Sequence, residues 1–145
     1  MTNWSGEWLF DTQLLIYALD SKSPFFKQAT TLFSQLPSSK FIPTIAQQNI
    51  LEAENVFIKK YKLEVKVVLE TVRNLVSVYE FNIIIPKPTT YNLFHKLFLQ
   101  KPKGKALFDY YLASTMLDNG INKILTVNTK DFKDIKNIEA VNPFK

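Results

Sequence analysis

Short apolar runs alternate with longer amphipathic segments along the whole chain, and that alternation is its strongest constraint. The runs EWLF (7–10), FIPT (41–44), FNIIIP (81–86), NKILTV (122–127) and IEAVNP (138–143) have the length and side-chain branching of strands. Between them lie segments with helical spacing. TQLLIYALD (12–20) is apolar at 14, 15, 18 and 19. A second helix is expected to open with Ser23 as N-cap and Pro24 as its first residue, and to run to about Leu36. Thr44 can cap IAQQNILEAENVFIKKY (45–61), and LEVKVVLETVRNLVSVY (63–79) is apolar at 65, 68, 69, 72, 75, 76 and 79. TTYNLFHKLFLQ (89–100) and ALFDYYLASTMLDNG (106–120) complete the set, with KPKGK as a loop between them and Gly120 as the C-terminal stop. Strands alternating with helices predict an α/β fold with three layers, α/β/α. The mostly parallel central sheet should have about four or five strands. The length of 145 residues fits a single domain, 1–145, with a core of its own.

Composition removes several kinds of chemistry. There is no cysteine, so disulfides, zinc–thiolate sites and thiol catalysis are excluded, and a reducing, cytoplasmic setting is the expectation. Apolar runs such as NIIIP fall far short of the ~20 residues of a membrane span. The segment MTNWSGEW has no basic flank or long apolar core, so no secretion signal is expected. The net charge is +5, and Arg73 is the only arginine among 18 basic residues. Lysine is a point charge suited to phosphate attraction, but surface lysines are common and the charge alone decides nothing.

A parallel sheet opens its functional cleft at the carboxyl ends of its strands, and acidic residues recur there. Asp11 follows the first strand, where it is also a good helix N-cap. Asp109 lies in the first turns of its helix among apolar neighbours, where the helix dipole also favours a carboxylate. Asn128 and Asp131 follow the strand NKILTV, where both also suit a turn. On the helix after FIPT, Glu52 and Glu54 point ~200° apart and cannot share one cleft; spacing leans to Glu52 and leaves Glu54 open. Asp118, at the dipole-unfavourable end of its helix, reads as exposed. Gathered together, the carboxylates would repel unless a cation neutralised them, and oxygen-only ligands suit Mg²⁺ or Mn²⁺ rather than zinc.

These segments carry a resemblance. FDTQLLIYAL (Asp11, Thr12), IAQQNILEAENVF (Glu52), KGKALFDYYLAS (Asp109) and ILTVNTKDF followed by VNPF (Asn128, Asp131) resemble, in order and spacing, the PIN-domain family of metal-dependent ribonucleases. The nearest branch is that of the VapC-like toxins. The resemblance covers nearly the whole chain. It favours Glu52 over Glu54, because the family's acid stands four residues after a Gln, as Glu52 does after Gln48. Two departures are visible: Gln13 where a shorter Asn or Ser is common, and Val127 where Arg is frequent. Neither removes a carboxylate.

The resemblance implies hydrolysis of RNA phosphodiesters. Asp11, Glu52, Asp109 and Asp131 would hold one or two divalent cations, Mg²⁺ or Mn²⁺, with Thr12 and Asn128 supporting them. It also implies a homodimer and a cognate antitoxin protein, with transfer RNA as the commonest family substrate. Lys101, Lys103, Lys105 and Lys130 are candidates for attracting the RNA backbone. His95, the single histidine, has apolar neighbours and reads as structural or partly exposed rather than catalytic. Two other readings fit less well. One is a binding module whose carboxylates are only caps. The other is a phosphotransfer enzyme, which would usually pair two adjacent acids at the first strand, where Asp11 stands alone.

Overall fold

In a computed structural model, residues 5–100 and 106–145 are described. Five strands form one sheet: β1 (Gly6–Phe10), β2 (Phe41–Ala46), β3 (Asn82–Ile84), β4 (Lys123–Leu125) and β5 (Glu139–Val141). Their order is β3-β2-β1-β4-β5, and every pairing is parallel. The helices are α1 (Thr12–Leu19), α2 (Phe26–Gln35), α3 (Gln47–Lys59), α4 (Val65–Val78), α5 (Thr90–Leu99) and α6 (Leu107–Asp118).

Two-residue periodicity in the strands sorts the core into two layers. Trp8 and Phe10 of β1, Phe41 and Ile45 of β2 and Leu125 of β4 pack against the buried side chains of α1 to α4. Leu9, Ala46, Ile84 and Ile124 point to the opposite face, against Phe94 of α5 and Tyr110, Leu112, Ala113 and Met116 of α6. Helices thus cover both faces, as an all-parallel sheet requires. Phe10 anchors the first layer, meeting Phe33, Phe41 and Phe81 edge-on at ring separations of 5.6, 5.7 and 5.0 Å. Among the described residues, no helix is long and apolar enough to cross a membrane.

Several expected boundaries shift, each for a local reason. The second helix starts at Phe26 rather than Pro24. The Ser23 hydroxyl accepts from the N–H of Phe25 and the Ser23 carbonyl from that of Phe26, which closes a turn before the helix begins. Thr44 caps nothing. It lies inside β2, paired with Leu9 and Asn82, and its hydroxyl donates to Glu7 Oε2 at 3.1 Å. The β2 strand therefore runs on to Ala46, and the side chain of Asn49 takes over the capping by accepting from the N–H of Ala46. Strands β3 and β5 are three residues each, shorter than their apolar runs. Gly120, with φ of +76°, ends α6 as expected, and the N–H of Ile121 behind it reaches back to the Met116 carbonyl at 2.9 Å.

The chain builds outward from β1 to β2 and β3, then returns to place β4 on the other side of β1. The sheet's topological switch point therefore lies between the carboxyl ends of β1 and β4, where open parallel sheets bind their ligands.

Candidate active site at the strand carboxyl ends

Asp11 leaves β1 at this switch point. Its N–H bonds to the Leu125 carbonyl at 3.0 Å, and its side chain caps α1 by accepting from the Thr12 N–H at 2.9 Å. The cap does not exhaust the carboxylate. Its second oxygen accepts from the hydroxyl of Thr126, 2.7 Å away. Phe10 pairs with Leu125, so the residues following them, Asp11 and Thr126, emerge side by side. Despite two hydrogen bonds that favour ionisation, the Asp11 carboxyl is pushed above the usual range. The main cause is desolvation by surrounding protein, and the charge of Asp131 adds to it.

Thr126 is fully buried and turns the chain as well as holding Asp11. Its hydroxyl accepts from the Asn128 N–H at 3.0 Å while donating to Asp11. The Asn128 carbonyl then accepts from the Asp131 N–H at 3.0 Å, opening a short 3-10 turn over Thr129–Asp131. Asn128 and Asp131 are both exposed at this turn. The strand thus ends in a polar run because Thr126 ties the turn to Asp11.

Asp109 sits in the first turn of α6, and burial is the first reason its carboxyl is pushed up to about 6. The charges of Asp131, Asp11 and Glu52 follow as causes, in that order. Glu52, largely solvent-exposed on α3, is also raised, first by desolvation and then by Asp11, against a hydrogen bond from Gln48 that lowers it. Four carboxylates from four separated segments therefore feel one another in a single cleft. Glu54 stands apart, in a different cavity with Arg73, whose charge lowers it while desolvation raises it more. The choice that helical spacing left open thus has a structural answer: Glu52 faces the acidic cleft.

The remaining candidates divide. Thr12 is buried, and its hydroxyl accepts from Asn49 Nδ2 at 3.1 Å. That bond ties α1 to α3 beside Asp11. His95 is exposed on α5, tilted 44° against Tyr91. Lys130 is exposed on the 3-10 turn; Lys101, Lys103 and Lys105 lie outside the described residues. Asp118, expected to be exposed, is partly buried: it accepts from Thr89 and Thr90 at 2.7 and 2.8 Å, joining the end of α6 to the start of α5, and these bonds lower its pKa. Sequence reading missed Thr126 and Asn49, because a lone Thr in a strand and a lone Asn in a helix carry no signal of their partners. It used Gln48 only as a marker. Gln48 Nε2 reaches the Phe108 carbonyl at 3.4 Å, and its Oε1 is buried with no partner among the described residues.

The donors in the cleft are carboxylate oxygens, which suit a hard divalent cation. Among the described residues, no three acidic or histidine side chains close on one point as a ready cage. Mg²⁺ does not require one, because it keeps several waters and commonly takes one or two carboxylates. The donor set therefore fits such an ion.

No protein-family model matches the chain, and no curated protein matches it. Solved structures do. A toxin–antitoxin complex from Klebsiella pneumoniae shares 28% identity over 95% of this chain and 98% of its own, with a TM-score of 0.63. VapBC2 from Rickettsia felis, bound to a DNA fragment from its promoter, shares 17% over 94% of this chain and 98% of its own, with a TM-score of 0.65. VapBC-1 from nontypeable Haemophilus influenzae shares 15% over 97% and 100%, with a TM-score of 0.67. The two lower identities speak for the fold alone. Likeness to these toxin–antitoxin structures over nearly the whole chain, together with the all-parallel sheet covered by helices on both faces, shows a PIN-like α/β fold.

Proposed function

We propose that this protein is a metal-dependent endoribonuclease, acting as the toxin of a VapBC-like toxin–antitoxin pair. The observation that carries the reading is the gathering of Asp11, Glu52, Asp109 and Asp131, from four separated segments, in the cleft at the strand carboxyl ends. The Asp109 carboxyl is pushed up to about 6 by desolvation and by three other acids that reach it from three other segments. A bound cation would relieve that repulsion. The matched structures are toxin–antitoxin complexes, which supports the toxin assignment and a cognate antitoxin partner.

In this reading Asp11, Glu52, Asp109 and Asp131 hold Mg²⁺ or Mn²⁺, directly or through water. Such an ion, when bound, would supply an activated water at neutral pH and offset charge developing on the scissile phosphate. Asp11 is held by two donors, the Thr12 N–H on one oxygen and the Thr126 hydroxyl on the other, so the orientation of its carboxylate is fixed. Asp109 and Glu52 lend charge from α6 and α3, and Asp131 lends it from the exposed turn. Asn128 shapes that turn through its backbone. The substrate is RNA, with transfer RNA the first to test, and a cytoplasmic homodimer is the expected form.

The test is cleavage of total bacterial RNA by purified protein with Mg²⁺ or Mn²⁺, beside EDTA controls and the variants Asp11→Asn and Asp109→Asn. Discrete products that need metal and disappear in both variants uphold the reading. Folded, inhibitor-free protein that cuts nothing would leave the second reading, an inactive PIN-like module that binds RNA or protein. The lack of a closed three-carboxylate cage among the described residues is what favours that alternative.

A further inference from the structure

Beside the acidic cleft lies a second feature that the carboxylates do not explain. A cavity of about 400 Å³ is lined by Gln47, Gln48, Leu51, Glu52, Pro86, Phe108 and Tyr111. It shares Glu52 with the acidic cleft, so the two spaces adjoin. Its walls are mostly apolar, yet Phe108 is 70% exposed and Leu51 60% exposed. An aromatic ring directly before Asp109 on α6 is thus held in water at the edge of an apolar cavity. Leaving both side chains open sacrifices burial that folding would otherwise gain.

The cavity's chemistry narrows its occupant. Glu52 on its wall disfavours an anion inside it. The neighbouring cleft, once a cation is bound, favours an anion there. A ligand that suits both spaces has a phosphate and, next to it, a flat neutral group with an apolar face. A nucleotide in a single strand has that composition, and aromatic side chains beside a backbone site hold bases by stacking. Gln48 keeps the two walls in register. Its amide N–H₂ faces the Glu52 carboxylate and the Phe108 carbonyl, and turning the amide over would set oxygen against oxygen.

We propose that this cavity is a base-stacking subsite, in which Phe108 receives the nucleobase next to the scissile phosphate of single-stranded RNA. The proposal rests on the ribonuclease reading for the position of that phosphate. With apolar walls around the base, the contact is to its face, so the subsite tolerates any base but requires one.

The experiment compares the wild type with Phe108→Ala and Phe108→Trp on a short RNA whose cut bond has been mapped. Matched RNAs carry an abasic residue on either side of that bond. The exposure of Phe108 makes both variants compatible with folding. Phe108→Ala should lower kcat/KM about tenfold on intact RNA, as loss of one stacked base does, and Phe108→Trp should restore it. On one of the two abasic RNAs, wild type and Phe108→Ala should be equal. An equal fall on intact and abasic RNA, or no fall on either, overturns the proposal. A second arm does not need cleavage. A fluorescent adenine analogue placed beside the bond is quenched on stacking, and binding is read with every acid of the cleft intact and Ca²⁺ in place of Mg²⁺ to slow cleavage. Quenching that disappears with Phe108→Ala upholds the subsite even if no enzyme preparation cuts RNA, which would defeat only the nuclease reading. Absence of quenching defeats the subsite. So does a Phe108 dependence seen only with a protein inhibitor and never with RNA, which would make the cavity a protein-docking surface.

Discussion

The Thr126 hydroxyl donates to Asp11 across 2.7 Å, although the two residues lie 115 positions apart in the chain. The bond exists because β1 and β4 are neighbours that end at the same level, Phe10 opposite Leu125. It fixes one oxygen of Asp11 while the Thr12 N–H fixes the other. It also joins the acid to the turn that carries Asp131, through the Asn128 N–H.

Thr126→Val keeps the shape of this residue and removes the bond. Partners that orient metal-holding carboxylates are typically worth 10–100-fold in metal affinity or activity. The half-saturating Mg²⁺ concentration for cleavage is therefore expected to rise about tenfold. A Mg²⁺ titration of cleavage checks this, and an unchanged midpoint would mean that the bond is only structural.

Asp109→Asn should abolish cleavage while stabilising the metal-free fold. The Asp109 carboxyl is raised from 3.8 to about 6 in the folded state. Between those values the folded chain binds more protons than the unfolded one, so this group's contribution to stability falls as pH rises through that window. Above about pH 6 the ionised group penalises folding in full, and below about pH 4 the penalty is absent. Because the side chain is partly exposed, solvent screening reduces the effect to about 1 kcal/mol. Urea unfolding in EDTA at pH 7.5 should show that gain, and it should vanish at pH 3.5.

Glu52 and Glu54 separate by function. Glu52→Gln removes a carboxylate whose charge reaches Asp109, and cleavage should fall about a hundredfold or more. Glu54 feels Arg73 on the other side of α3, and Glu54→Gln should leave cleavage within about twofold. Rates measured side by side at saturating Mg²⁺ decide it. A loss of cleavage in Glu54→Gln would reassign the acid of this helix.

Metal itself should stabilise the wild type. At a hundred times its dissociation constant a bound ion adds about 2.7 kcal/mol, visible as a rise in Tm that EDTA reverses. Asp11→Asn should show a smaller rise. At pH 5 the wild-type rise should also shrink, because protons compete for Asp109. A Tm insensitive to Mg²⁺ and Mn²⁺ at every pH would argue against a resident ion.

The sequence by itself determined the layers. Alternating short apolar runs and helical segments are local patterns, and local patterns specify which elements form and which faces they bury, as Trp8, Leu9 and Phe10 do on the two sides of β1. It also exposed Asp11, Asp109 and Asp131 as acids in unusual places. What only the tertiary structure decided is everything that depends on which strands are neighbours. Helical spacing leaned to Glu52 but left Glu54 open, because the choice depends on whether α3 turns a side chain toward Asp11 or toward Arg73. Thr44 looked like a cap until its pairing with Leu9 and Asn82 placed it inside a strand. Thr126 and Asn49 are ordinary residues in their own segments. Beyond their local turns they bond partners 115 and 37 positions away, and a hydrogen bond over such a separation leaves no local pattern to read.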